Sequence, residues 1–528
     1  MSDREVIGNL LGTTTPTEVT ICVDPNIVRT SPLRLGEYLI IDYQCDELEK
    51  PVLASVKEIG LSNLNMPNSI LTSPREFEAL SRIGDLRDGE ILTADARILG
   101  YLNEADELEM PRFSPPPGAE VFRAPRELLS EAFGQGHIEI GHLLTNEDVR
   151  VRLDVDELIR RHLAVLAITG GGKGNTVAVI VSRILELGGA VVVIDPHSEY
   201  VGMRNELGDK LVAFSVDADP DRKILPLRFR YNSFSADDFM SILRVRSTAN
   251  RQRKLFRDAF EMLEDTEWGY EDLENALEKA DGGENSEQLQ GLKSLMGEAT
   301  EFAILDKTQE VPLAGNGGPG IVNEGCMTVL SLSGLDTDVQ QAVVRRVSQK
   351  ILRGAVAWRR NHENAESIPC PVLLVVEESH NFVPSGDDGA TSKRILRRIA
   401  SEGRKFGVGL CVVSQRPGKI DSNVLSQCNS MIVLRVVNPR DQTNIENSAE
   451  AMSKDLMQEL PSLNVGEAVV FGPAVNLPAL VKIDKYQGTL GGEDIDVVDA
   501  WQNPQSGSSE PRNRRHDDDG AFERREWS

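Results

Sequence analysis

The segment TGGGKGNT, residues 169–176, is the stretch whose residue types and order define a chemistry most directly. Consecutive glycines let a backbone fold around a phosphate with its N–H groups pointing inward, and Lys173 adds a point charge for the β and γ phosphates. Gly170, Gly171, Gly172, Lys173, Gly174, Asn175 and Thr176 are therefore the candidate cradle for a nucleoside triphosphate. Against the pattern G-x-x-x-x-G-K-[ST], Ala167 stands where the first glycine belongs, and Gly174 replaces the hydroxyl residue that ligates Mg²⁺. Thr176 could lend a hydroxyl to phosphate or metal from two residues further on, but its direction on a first helical turn differs from that of residue 174. A bland glycine turn entering a helix would not need a lysine at this register.

Acids follow at the ends of two apolar runs. AVVVID closes on Asp195, with His197, Glu199 and Tyr200 in the next loop, and CPVLLVVEESH closes on Glu377, Glu378 and His380. Such a pair suits a division of labour in which Glu377 supports Mg²⁺ and Glu378 is the general base for the attacking water. Two solvated carboxylates at a strand end are the plain alternative, and the upstream phosphate loop argues against it. The two histidines read equally as loop residues satisfied by neighbours or as supports for the acids. A third run, GVGLCVVSQ, ends at Ser414 and Gln415, where a polar side chain can sense the γ-phosphate or orient water. Upstream of it, Lys393, Arg394, Arg397, Arg398, Arg404 and Lys405 cannot all serve one site, and some form a solvated helix face. Arg404 is distinctive because it lies between glycines just before a core strand, from where it can reach a neighbouring subunit's nucleotide.

These residues need strands that end together and helices that begin there. The runs LAVLAI (163–168), AVVVI (190–194) and VLLVV (372–376) have strand length, are apolar throughout and alternate with helix-period segments. Such strands belong to a largely parallel α/β sheet covered on both faces, with ligands bound at its carboxyl ends. This texture fills residues 126–231 and 304–481. Residues 232–303 hold only charged helical stretches and read as a helical insertion, whereas residues 1–125, with short alternating runs between Pro, Asn, Asp and Gly clusters, read as a small β-barrel or sandwich. Residues 482–528 turn polar and then low in apolar content, a composition that does not fold alone.

The 528 residues are 40% hydrophobic, enough for several domain cores. No long apolar window and no secretory start occur, so a cytoplasmic protein with no membrane span is expected, and six cysteines without a C-x-x-C pair read as reduced. The net charge of −26 ordinarily argues against nucleic acid. However, 16 Lys against 41 Arg among the basic residues is the composition expected of a protein kept soluble in concentrated salt. At 1 M salt the Debye length is roughly 3 Å, so global charge does not exclude DNA for a halophilic protein.

Taken in order, HIEIGHLLTNEDVRVRLDVDELIRRHLAVLAITGGGKGNTVAVI, IDPHSEY, MTVLSLSGLD, EESHNF and EGRKFGVGLCVVSQRP resemble the archaeal HerA helicase/translocase family over roughly residues 1–500. The resemblance implies a RecA-like P-loop ATPase core related to bacterial DNA pumps of the FtsK kind, an N-terminal HAS-type β-barrel, a helical insertion and a C-terminal brace that embraces a neighbour. It also implies a homo-hexameric ring that translocates on double-stranded DNA using ATP and Mg²⁺, partnered by a NurA-like nuclease in end resection for recombinational repair. By motif, Lys173 would hold phosphates, Asp195 would lie beside the site, Glu378 would be the catalytic acid paired with Glu377, Gln415 the sensor and Arg404 the trans-acting finger. Arg161, just before the first core strand, would contact nucleotide or stabilise the subunit interface. Relatives carry Ser at the position of Gly174, so this chain departs from the family where Mg²⁺ is held. A nucleotide-binding ring that has lost efficient hydrolysis and serves as a nuclease scaffold is therefore the competing expectation.

Overall fold

The computed structural model describes residues 6–24, 31–43, 51–63, 90–103, 108–246, 248–263, 266–298, 304–315, 318–361, 366–368, 370–386, 390–449, 454–491 and 501. Strands β1 (Val6–Leu11), β2 (Glu18–Val23), β3 (Tyr38–Ile41), β4 (Val52–Asn63), β5 (Glu90–Leu102), β6 (Leu108–Glu109) and β7 (Glu120–Arg123) form one sheet in the order β2-β1-β7-β3-β4-β5-β6. An additional β2–β5 pairing closes six of them into a barrel rather than a sandwich. Alternation aims the side chains: Val19, Ile21 and Val23 of β2 face inward with Leu92, Ala94, Ala96 and Ile98 of β5. In β1, Gly8 and Asn9 interrupt the apolar run. Gly8 is required there, since a Cβ would come within 2.1 Å of the Cys22 carbonyl oxygen on β2.

The second sheet contains β8 (Ile138–Leu143), β9 (Asn146–Leu153), β10 (Leu163–Leu166), β11 (Ala190–Asp195), β12 (Leu211–Ser215) and β13 (Ile224–Pro226). β14 (Phe229–Arg230) and β15 (Leu305–Asp306) pair apart from it, and β16 (Met327–Ser331), β17 (Val372–Val376), β18 (Val408–Ser414), β19 (Ser430–Val433), β20 (Glu467–Phe471) and β21 (Ala479–Ile483) complete it. Its order is β13-β12-β16-β11-β17-β18-β10-β19-β20-β21-β8-β9. The pairings from β13 to β19 are parallel; those from β19 to β9 are antiparallel. The two faces carry separate cores. Ala164, Leu166, Val192, Ile194, Leu374 and Val376 face one way, and Leu163, Val165, Val191, Val193, Leu373 and Val375 the other. Continuous apolar runs follow from this two-sided burial.

Helix α1 (Val155–Arg161) leads into β10, and α2 (Lys173–Glu186) leaves it, burying Val177, Ala178, Ile180, Val181, Ile184 and Leu185 in the second core. Between β14 and β15 lie α3 (Ala236–Ile242), α4 (Asn250–Glu261), α5 (Tyr270–Ala280) and α6 (Glu287–Glu298). Their centre is aromatic: Phe239 is fully buried and its ring lies within 6.3 Å of those of Tyr231, Phe234, Phe256, Phe260 and Trp268. α7 (Thr337–Arg359) and α8 (Lys393–Glu402) cover the first face. Two boundaries differ from expectation. The run expected as a strand to residue 168 leaves the sheet after Leu166 to form the glycine loop, and β21 runs on to Ile483, past the expected start of the polar stretch at 482. Most of that stretch lies outside the described residues.

Candidate active site

β10 is flanked by β18 and β19, with Leu166 in register with Ser414 and Val433, so the glycine loop emerges in mid-sheet. Gly170 (φ +74°) and Gly172 (φ +101°) take left-handed conformations that L side chains rarely adopt, and Gly172 precedes the first residue of α2. The loop thus delivers the free N–H groups and positive dipole end of a fourteen-residue helix, with Lys173 as its first side chain. Lys173 Nζ lies 3.7 Å from Glu378 Oε1.

Around Lys173 the carboxyl ends of β11, β17 and β18 converge. Asp195 is buried and accepts from the backbone N–H groups of His197 (3.2 Å) and Tyr200 (2.9 Å), which folds the loop back over the strand end. Burial pushes its pKa up to about 6, with those hydrogen bonds opposing. The Tyr200 hydroxyl donates to Glu377 Oε1, and burial pushes the Glu377 carboxyl up to about 8. Glu378, next in sequence, goes the other way. Burial disfavours its charge, but His380 beside its Oε2 and the Lys173 ammonium outweigh that and hold it below the usual glutamate value. Glu378 also has a left-handed backbone (φ +45°), a strained conformation that turns its side chain out of the strand's alternation. Two adjacent acids with pKa values pushed apart form an acid/base division, with Glu378 ionised and able to take a proton. His380 Nδ1 lies 3.1 Å from both Glu378 Oε2 and Ser414 Oγ, so this histidine supports the acid; His197 is exposed. Gln415 Oε1 accepts from the Thr169 hydroxyl, tying β18 to the phosphate loop.

Two expected ligands point elsewhere. Thr176 is buried and its hydroxyl donates to the Gly172 carbonyl (3.0 Å), so it replaces residue 174 neither in direction nor in availability. Asn175 turns both ends of its amide to the C-terminal segment, donating to the Asp484 carbonyl (2.8 Å) and accepting from Tyr486 N–H (2.8 Å). Its side chain clamps residues 484–486 against α2 and does not face the cradle, because a long-range partner absent from any local motif outcompetes the phosphate direction.

A family model described as "Helicase HerA, central domain" matches residues 138–351. A probable helicase of Methanocaldococcus jannaschii is 33% identical over 95% of each chain. This chain belongs to the HerA helicase family. The proteins named DNA double-strand break repair helicase HerA from Pyrococcus furiosus and Sulfurisphaera tokodaii are 32% and 33% identical, each over 94% of this chain and over 97% and 96% of their own lengths. The solved VirB4 of Thermoanaerobacter pseudethanolicus is a more distant likeness, 18% identical with a TM-score of 0.47 over 67% of this chain and 97% of that one. No helix among the described residues of this HerA-family chain is long and apolar enough to cross a membrane.

The remaining HerA-motif residues, Arg161 and Arg404, sit at the other end of the sheet. Arg161 ends α1 just before β10, and Arg404 lies in the turn before β18, so both are at the amino ends of strands whose carboxyl ends carry the site. Together with Arg160, His162, Ser401 and Asn429 they line a cavity of about 390 Å³. His162 joins the two arginine segments: Nδ1 accepts from Leu410 N–H (3.0 Å), and Nε2 accordingly donates to the Ala400 carbonyl (3.0 Å). Within one chain both arginines therefore lie at the end of the sheet away from Lys173. On α8, Lys393 and Arg397 pair with Asp421, and Arg398 pairs with Glu402, as expected of a solvated basic face.

Proposed function

We propose that this HerA-family protein is an ATP-driven motor on double-stranded DNA that works as a homo-hexameric ring, with a NurA-like nuclease as its partner in end resection. The observation that carries the reading is the separation just described. The glycine loop, Lys173 and the paired acids Glu377 and Glu378 lie at one end of the sheet, and Arg161 and Arg404 lie at the other. Arginines so placed have a use when a second copy brings its phosphate loop to them, which a closed ring does for every subunit.

In this mechanism the loop N–H groups and Lys173 hold the phosphates. Glu378, ionised and oriented by His380, accepts the proton of the water that attacks the γ-phosphate, while Gln415 positions that water. Arg404 of the neighbouring copy stabilises the charge that spreads over the transferred group, with Arg161 beside it. The donors near Lys173 are carboxylates suited to Mg²⁺, with Glu377 directly after β17 as the residue that would hold it; the ion would neutralise charge on the triphosphate. Glu377 would have to give up its proton to take part.

A mixing experiment tests the trans arrangement. Lys173→Ala lacks a working phosphate loop and Arg404→Ala lacks the finger, and each alone should be silent in ATP turnover. Mixed rings should recover turnover, because an intact loop then meets an intact finger. Mixtures as silent as the parents would contradict the arrangement. The specific observation favouring a second reading, a nucleotide-binding scaffold without efficient hydrolysis, is that Gly174 lacks a hydroxyl and Thr176 does not replace it. That reading predicts nucleotide-stabilised assembly without multiple turnover.

A further inference from the structure

The position of Gly174 has a specific neighbour. A Cβ built there would lie 3.6 Å from Glu199 Oε2, 3.6 Å from Leu490 Cδ1 and 4.0 Å from the Tyr200 hydroxyl, all ordinary contacts. A seryl oxygen one bond further would therefore fall close to the Glu199 carboxylate. Glu199 is not a stray surface acid. Its loop is pinned at one side by the backbone N–H groups that the Asp195 carboxylate accepts, including that of Glu199, and at the other by Gly491 N–H donating to the Glu199 carbonyl (2.6 Å). The backbone is thus fixed from both sides, while the carboxylate has no hydrogen-bond or ion-pair partner among the described residues. Its charge is felt at Glu377, where it adds to the upward push of burial.

We propose that Glu199 takes the place of the missing hydroxyl, reaching the Mg²⁺ of a bound nucleotide from the loop after the second core strand. The inference rests on the nucleotide-site reading above. It explains how a chain with glycine at residue 174 keeps a metal contact: a carboxylate from a neighbouring strand fills the direction that the loop residue leaves open. The exchange alters the chemistry as well as restoring it. A hydroxyl is neutral toward a metal-free triphosphate, whereas a carboxylate repels it and becomes attractive only through the ion. Nucleotide binding should therefore depend on Mg²⁺ more steeply here than in a chain with serine at this position.

The test is binding, without turnover, of a fluorescent non-hydrolysable ATP analogue to the full chain in saturating Mg²⁺ and in EDTA. Wild type, Glu199→Gln, Gly174→Ser and the double variant are compared, with melting curves to confirm folding. In Glu199→Gln the ratio of the two affinities should shrink by about ten- to hundredfold, the range for losing a group that supports a metal. Affinity in EDTA should hold or rise as the repulsion disappears. Adding Gly174→Ser to Glu199→Gln should restore the Mg²⁺ dependence, which a merely structural role for Glu199 would not allow. An unchanged ratio in Glu199→Gln, or no rescue by serine, would overturn the proposal. If wild type binds no analogue in either condition, the nucleotide-site reading fails and this inference with it, an outcome distinct from the other two.

Discussion

Glu377 makes the ligand-free protein sensitive to pH in a direction opposite to ordinary acid denaturation. Its pKa is raised by burial from 4.5 to about 8 in the folded chain. A carboxyl that holds its proton when folded and releases it when unfolded favours unfolding as pH rises through the interval between the two values. Stability is full below about pH 4.5 and is lost progressively toward pH 8. At 1.36 kcal/mol per unit, the loss between pH 5 and pH 8 amounts to about 3 kcal/mol. Glu377→Gln removes this titration while leaving an oxygen to accept from Tyr200. Wild type and Glu377→Gln should be melted in EDTA at pH 5, 6, 7 and 8, and their difference at each pH cancels every other titrating group not coupled to this one. The variant should gain on wild type by roughly 6–12 °C between the ends of the series, taking about 2–4 °C per kcal/mol for a core of this size. A difference that stays constant from pH 5 to pH 8 would refute the buried, protonated carboxyl and the division of labour between the paired acids.

Arg404→Ala should retain nucleotide binding and lose about 10³–10⁵ in ATP turnover, the range for removing a trans-acting arginine, as read in a coupled phosphate-release assay. His162 is pushed down to about 4, first by burial and then by the nearby Arg404 charge. Its folded pKa is depressed, so stability is full above about pH 6.5 and is lost as pH falls toward 4, by about 3 kcal/mol in all; His162→Ala should flatten that acid limb while leaving Leu410 N–H and the Ala400 carbonyl unpaired, and an unchanged limb would contradict the neutral buried ring. Phe239→Ala, at the centre of the aromatic cluster, should cost about 3–5 kcal/mol, seen in denaturant melts as early loss of the helical segment with little change in nucleotide affinity.

What was legible in the sequence was local. The strand–glycine–lysine–helix succession and the acids closing apolar runs are read within a dozen residues, and parallel sheet geometry then brings those strand ends together. The side chains of Asn175 and Thr176 take partners that no local motif shows, for a physical reason. Thr176 has a carbonyl partner one helical turn back, and Asn175 meets a chain segment more than three hundred positions away. The β21–β8 junction of the antiparallel edge was equally hidden, because it joins strands from opposite ends of the core and no short window contains that pairing. The closure of the barrel depends on β2 meeting β5, a contact that alternation within either strand permits but does not specify. His162 carried no signal beyond its position next to Arg161; only the fold places it against the Arg404 segment.

This sheet is proposed to hydrolyse ATP in the service of duplex DNA. The most direct measurement is Mg-ATP turnover by the purified protein in multimolar KCl, with and without linear double-stranded DNA, beside Glu378→Gln. The account predicts turnover by wild type, stimulation by DNA and silence in the variant. Wild type no faster than Glu378→Gln in the presence of DNA, while nucleotide still binds, would contradict it and leave the scaffold reading in its place.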